Sequence, residues 1–172
     1  MTLDEELRHL FAQKRAYHNE WLGVRQIGFG TAYARYGNEK FPEGYPAIRA
    51  VLHGQAALFR EHTGNAPNTL YIQAQTPGMQ VHRHRDPVNN RFGTTIYYAG
   101  EFHGGKLVVE NEAPVLTGGR PEMRVRGTNY ETTVHPGDSL FLRCTTKQQG
   151  PWHWTTPVES GVRYTIIFNL IR

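Results

Sequence analysis

Residues 79–100 read MQVHRHRDPVNNRFGTTIYYAG. In an extended chain alternate residues share a face, so Gln80, His82, His84 and Asp86 point one way while Val81, Arg83 and Arg85 point the other. Pro87 has no N–H to donate and ends the ladder. TTIYYAG, residues 94–100, then resumes a β-branched and aromatic run. A strand that ends in a crowd of ionisable groups, followed at once by a second strand, sets the texture of everything around it. Outward from this stretch lie TLYIQAQ (69–75), KLVVE (106–110), MRVRG (123–127), YETTV (130–134), DSLFLR (138–143) and RYTIIFNL (163–170). With MQVHRHR and TTIYYAG these make eight short strands separated by turn residues, which predicts an antiparallel sandwich or jelly roll.

The first 64 residues have a different period. Leu3, Leu7, Leu10 and Phe11 recur at helical spacing, and Ile48, Val51, Leu52, Leu58 and Phe59 form a second apolar stripe. Pro46 suits the first turn of that second helix and Gly64 its end. GFGTAYARYGNEKFPEGYP between them is rich in glycine and turn residues and reads as loop with one short strand at most. The expectation is a mainly β single domain over 1–172, with a helical cover over about 1–64 and a β core over about 69–170. No repeat or long linker divides it.

Charged residues make up 20% and hydrophobic residues 38%, as in folded globular chains rather than disordered ones. No apolar run approaches the ~20 residues of a membrane helix. The start, MTLDEELRHL, lacks the apolar stretch of a secretory signal, so a cytoplasmic protein without a membrane partner is expected. Cys144 is the single cysteine, which excludes an internal disulfide and a cysteine-rich zinc site within one chain. A formal charge of +4 and a pI near 9.3 permit an anionic partner such as nucleic acid without requiring one.

The chemistry starts from His84 and Asp86. An imidazole and a carboxylate two residues apart on one strand face can take adjacent corners of a metal octahedron, and one further histidine would complete the facial triad of a non-haem iron site. His153, between Trp152 and Trp154, supplies that histidine; it could simply be a satisfied core residue, but its spacing to Arg163 points the other way. Ten residues later Arg163 opens a strand on which Thr165, Ile167 and Asn169 share its face. An arginine fork binds a carboxylate through two charge-assisted bonds, so a dicarboxylate could reach the metal with one end and Arg163 with the other.

HxD, a distal histidine and an arginine ten positions on resemble the iron- and 2-oxoglutarate-dependent dioxygenases, whose fold is a double-stranded β-helix. More narrowly, HxHRDxxNxxxGxT at His82, His84, Arg85, Asp86, Asn89, Gly93 and Thr95, HxTTPV at His153 to Val158, and RxT at Arg163 to Thr165 are similar to the TET/JBP family, which oxidises the 5-methyl group of pyrimidines in DNA. The similarity spans roughly residues 69–170. It implies Fe(II) held by His84, Asp86 and His153, 2-oxoglutarate held by Arg163 and Thr165, O2 as oxidant, ascorbate as the reductant of an assay, and DNA carrying a methylated pyrimidine, 5-methylcytosine foremost, as substrate. No partner protein is implied. Asn89 matches the family asparagine that hydrogen-bonds the target base, and an amide suits a Watson–Crick edge; a turn asparagine is the plainer alternative. His82 is either a support for the ligands or structural. Where animal members place a base-stacking tyrosine and, two residues later, a histidine, this strand has Asn169 and Ile171, and their large cysteine-rich region is absent. The likeness is therefore to a minimal phage or bacterial enzyme.

Arg83, Arg85 and Arg91 lie beside the expected mouth and are candidates for phosphate contacts, or else pack against acidic neighbours. Three other classes compete. A cupin would use His82 and His84 as its HxH, but it wants a glutamate where this chain has Val88 and Asn89. A hydroxylase of an amino acid, a peptidyl residue or a natural product would share the same iron and cosubstrate residues. An inactive β-helix that merely binds DNA would not need the triad intact.

Overall fold

The computed structural model describes residues 1–30, 40–86, 90–144 and 150–171, apart from the side chain of Arg91. Helix α1 (Leu3–Gln13) opens with a reciprocal cap: Thr2 Oγ1 accepts from the Glu5 N–H at 3.2 Å and Glu5 Oε2 accepts from the Thr2 N–H at 3.1 Å. Helix α2 (Pro46–Thr63) begins with Pro46 and stops at Gly64, which takes a left-handed conformation, as the sequence predicts. Its own cap position, Tyr45, contributes no side-chain capping bond. Glu6 of α1 does so instead, its two oxygens accepting from the N–H groups of Ala47 and Ile48 at 3.0 Å each. The two helices are thus tied together through a fully buried carboxylate.

Eleven strands are described: β1 (Tyr17–Asn19), β2 (Val24–Gly30), β3 (Thr69–Gln75), β4 (Asn90–Gly104), β5 (Leu107–Glu110), β6 (Val115–Gly118), β7 (Glu122–Arg126), β8 (Asn129–Thr133), β9 (Ser139–Arg143), β10 (His153–Thr155) and β11 (Val158–Ile171). They form a seven-stranded sheet in the order β1-β2-β3-β11-β4-β9-β6 and a four-stranded sheet in the order β10-β5-β8-β7. Every pairing among them is antiparallel. Mainly β, in two packed sheets under a helical cover, this is the expected jelly roll.

Period-two alternation sorts the large sheet into two faces. Leu70, Ile72 and Ala74 of β3, Ala99 of β4, and Tyr164 and Ile166 of β11 pack under Leu7, Leu10 and Ile48 of the helices. On the opposite face Ile96, Tyr98 and Phe102 meet Leu107 and Val109 of the small sheet. The residues between these two cores, on β3 and β11, are the polar ones: Gln73, Gln75, Arg163, Thr165 and Asn169, all buried.

Residues 79–85 depart from the expected strand. They carry only an isolated bridge between His84 and His153. Their other backbone bonds are divided among four partners: the Met79 N–H donates to Thr76 O, Met79 O accepts from Val158, Val81 O accepts from Thr155, and the His82 N–H donates to Leu22 O. The segment is wedged between β10 and the β1–β2 turn, so no single neighbour sets a ladder. β1, β2, β6 and β10 lie outside the eight strands predicted. No helix among the described residues is long and apolar enough to cross a membrane.

Candidate metal centre and its cavity

The bridge between His84 and His153 places the two imidazoles side by side, with ring centroids 4.2 Å apart. Each ring is fixed by a backbone carbonyl. His84 Nδ1 lies 2.7 Å from His82 O, and His153 Nδ1 lies 3.0 Å from Pro151 O. A carbonyl can only accept, so Nδ1 carries the proton in both rings and Nε2 keeps its lone pair. Both Nε2 atoms face Asp86 Oδ1 at 3.7 Å. Burial, and then the neighbouring His153, push the His84 pKa down to about 4 against the opposing pull of Asp86, so this ring is neutral at neutral pH.

Asp86 is held from behind. Thr94 Oγ1 donates to its Oδ2 at 3.0 Å and Asn90 Nδ2 donates to the same oxygen at 3.3 Å, which turns Oδ1 toward the histidines. The donor atoms of His84, Asp86 and His153 all lie within 4.8 Å of one another. Two imidazole Nε2 atoms and one carboxylate oxygen, each backed by a second hydrogen bond, fit a divalent first-row cation of the facial-triad kind.

These three residues line one end of a cavity of about 120 Å³ between the sheets, with Arg163, Thr165, Gln73, Gln75, Tyr98 and Asn169 among its other walls. That is room for on the order of ten waters, or for a small dicarboxylate. Arg163 is fully buried, and burial holds its pKa below the usual value, with only Tyr98 opposing. Its Nε and Nη2 donate to Gln75 Oε1 and its Nη1 to Gly105 O. Three of five N–H groups are thus spent on fixing the fork, and two remain. Thr165 Oγ1 donates to Gln73 Oε1 at 3.1 Å, and Gln73 Nε2 donates in turn to Gln26 Oε1 at 3.0 Å. The Thr165 hydroxyl must turn from Gln73 to donate to a ligand. Burial pushes the Tyr98 phenol up to about 12, leaving it a neutral donor beside Arg163.

Two of the three arginines expected at the mouth have protein partners. Arg83 makes a two-pronged pair with Glu110, both bonds at 3.0 Å, and lies 4.1 Å over the Trp152 ring. Arg85 Nε donates to Gly150 O at 2.9 Å. His82 contributes its carbonyl to His84, while its side chain is exposed. Asn89 and the side chain of Arg91 lie outside the described residues. Sequence reasoning missed Gln73, Gln75, Tyr98, Thr94, Asn90 and Trp21. Alternation in TLYIQAQ could have flagged the two glutamines as a polar face, but the links of Gln75 to Arg163 and of Gln73 to Thr165 depend on pairings 88 and 92 residues apart in the chain.

No family model and no curated protein matches the chain. Solved structures do. A Pseudomonas putida prolyl-4-hydroxylase is similar over 99% of this chain and 84% of its own, with a TM-score of 0.66 at 14% identity. A Trichoplax adhaerens prolyl hydroxylase in complex with a hypoxia-inducible-factor peptide covers 97% of this chain and 76% of its own, with a TM-score of 0.62 at 14% identity. A Burkholderia pseudomallei oxidoreductase of the 2OG-Fe(II) oxygenase family covers 96% and 76%, with a TM-score of 0.60 at 12% identity. The chain has the fold of these oxygenases.

Proposed function

We propose that this chain, folded as the 2OG-Fe(II) oxygenases are, is an Fe(II)- and 2-oxoglutarate-dependent dioxygenase that hydroxylates the 5-methyl group of a modified pyrimidine in DNA, 5-methylcytosine foremost. The observation that carries the reaction class is one cavity walled by His84, Asp86 and His153 at one end and by a buried, pre-oriented Arg163. The substrate half rests on the likeness of HxHRDxxNxxxGxT, HxTTPV and RxT to the TET/JBP family, and on the basic balance of the chain.

Bound Fe(II) and 2-oxoglutarate would supply the oxidising chemistry, in which one atom of O2 enters the substrate C–H bond and the other enters succinate as CO2 is lost. His84 and His153 would offer Nε2 to the metal and Asp86 its Oδ1. Asn90 and Thr94 keep that oxygen aimed. Arg163, braced by Gln75 and Gly105, would take the far carboxylate with its two remaining N–H groups, with the Tyr98 hydroxyl and Thr165 beside it. Ile96, Leu107 and Ile167 keep the inner cavity apolar around these polar groups.

A second reading, hydroxylation of an amino acid, a peptidyl residue or a natural product, is favoured by the prolyl hydroxylases among the structural neighbours. Nucleoside mass spectrometry of methylated DNA incubated with the protein, Fe(II), 2-oxoglutarate and ascorbate tests between the two. A methylpyrimidine that gains one oxygen is the expected result. Succinate formation driven by a proline-containing peptide, with no oxidised base, would replace the first reading by the second.

A further inference from the structure

We infer that Trp21 and Asn169 form the recognition face for a planar heterocycle at the metal end of the cavity, Trp21 giving the stacking surface and Asn169 the hydrogen-bonding edge. This rests on the dioxygenase reading above and deepens it to the residues that recognise the substrate.

Trp21 is 58% exposed, yet it lines the cavity and stands edge-on to the His84 ring, with centroids 5.3 Å apart at 70°. Its exposure is not that of a loose loop. The Asn19 side chain accepts from the Leu22 N–H at 3.0 Å, and Leu22 O accepts from the His82 N–H at 3.0 Å. Leu22, Val24 and Val81 form a small apolar cluster beneath the turn. Gly23, at φ +82°, is pressed so close to residues 80–82 that a Cβ there would lie 2.8 Å from Gln80 O. The fold therefore fixes a bare indole beside a metal ligand. Trp152, also near the site, differs because a guanidinium covers its face. Among the described residues nothing stacks on the face of Trp21.

Asn169 is the second observation. It is only 9% exposed, its Oδ1 is buried without a donor, and its amide makes no hydrogen bond among the described residues. It shares the cavity face of β11 with Arg163, but six residues along a strand is about 20 Å. Its register partner on β4 is Thr94, the residue that holds Asp86. Asn169 thus serves whatever approaches the metal rather than the group bound at Arg163. An amide offers a donor beside an acceptor, which matches the adjacent donor and acceptor on the edge of a nucleobase. A pyrrolidine ring offers neither that edge nor a π face. The two groups together select a base.

Equilibrium binding, with the protein loaded with Fe(II) and 2-oxoglutarate under anaerobic conditions, tests this. Two single-stranded oligonucleotides are compared, one carrying a single 5-methylcytosine and the other an abasic site at that position. The wild type is expected to prefer the base-bearing strand by on the order of tenfold or more, as stacking on one aromatic residue gives. Trp21→Ala and Asn169→Ala should each lose most of that preference, and Trp21→Phe should keep most of it. In turnover both alanine variants should raise KM for the methylated strand more than they lower kcat. A merely structural Trp21 would instead weaken Fe(II) binding and lower affinity for both strands equally, which overturns the proposal. Retention of the full preference in Trp21→Ala and Asn169→Ala overturns it too, and so does a wild type that does not distinguish the strands. Each of these can occur while mass spectrometry still finds an oxidised methylpyrimidine, so failure here is separable from failure of the DNA reading.

Discussion

The two carboxylate oxygens of Asp86 are not equivalent. Oδ2 is held by Thr94 and Asn90, and Oδ1 faces the two histidines. His84→Ala, Asp86→Ala and His153→Ala should each abolish turnover and Fe(II) binding while the chain still folds, which isothermal titration beside circular dichroism would check. Thr94→Val keeps the shape of the side chain but removes the donor; loss of such a supporting bond should weaken Fe(II) binding by roughly 10- to 100-fold. At the other wall, Gly105 sits at φ +70°, and a Cβ there would run into the Arg163 guanidinium. Gly105→Ala should therefore raise KM for 2-oxoglutarate tenfold or more without changing Fe(II) affinity, and an unchanged KM would dissociate Arg163 from the cosubstrate. His84, Asp86, His153 and Arg163 were legible in the sequence because each carries its chemistry in its residue type and spacing. Gln75 and Tyr98 were not, because an ordinary glutamine and an ordinary strand tyrosine become site residues only through strand register, which no local pattern states.

Among the elements, α2 depends on a cap borrowed from α1. Glu6→Ala would leave the N–H groups of Ala47 and Ile48 unpaired in a buried place, at a cost of about 1–3 kcal/mol in urea unfolding. Fe(II) affinity of the folded protein should stay the same, since the helices lie across the large sheet from the cavity. The helix bounds were readable from Pro46, Gly64 and the apolar stripes, whereas this bond between helices was not, because Glu6 looks like any acid in a first turn. The core strands showed themselves through alternation. β1 and β2 did not: the first is three residues long, and the second alternates apolar residues with glycine toward its end. The expected strand over 79–85 failed for a related reason, since β propensity describes a chain's fitness for a ladder and cannot supply the neighbour that completes one.

For the molecule as a whole, ligand binding and stability are linked. If the cavity binds metal and 2-oxoglutarate only when folded, each at 100 times its Kd adds about 2.7 kcal/mol. For a chain of this size the pair should raise Tm by roughly 10–20 °C in anaerobic calorimetry, and the metal share should vanish in Asp86→Ala. Salt provides the second whole-molecule test. If DNA is the partner, log–log plots of affinity against salt should fall with a slope near −0.7 for each phosphate neutralised on a single strand. With Arg83 already paired to Glu110, Arg83→Ala should change that slope little. The position of β11 also bears on how the protein is made. This strand, last in chain order, lies in the middle of the large sheet, between β3 and β4. Until it emerges from the ribosome, both of those strands present open edges, and Gln75 waits 88 residues for Arg163. Folding should accordingly be slow and governed by long-range closure, with β3 and β4 vulnerable to edge-to-edge association until β11 joins them. Competence to bind the cosubstrate would then be acquired in a single step, the docking of β11 against β3.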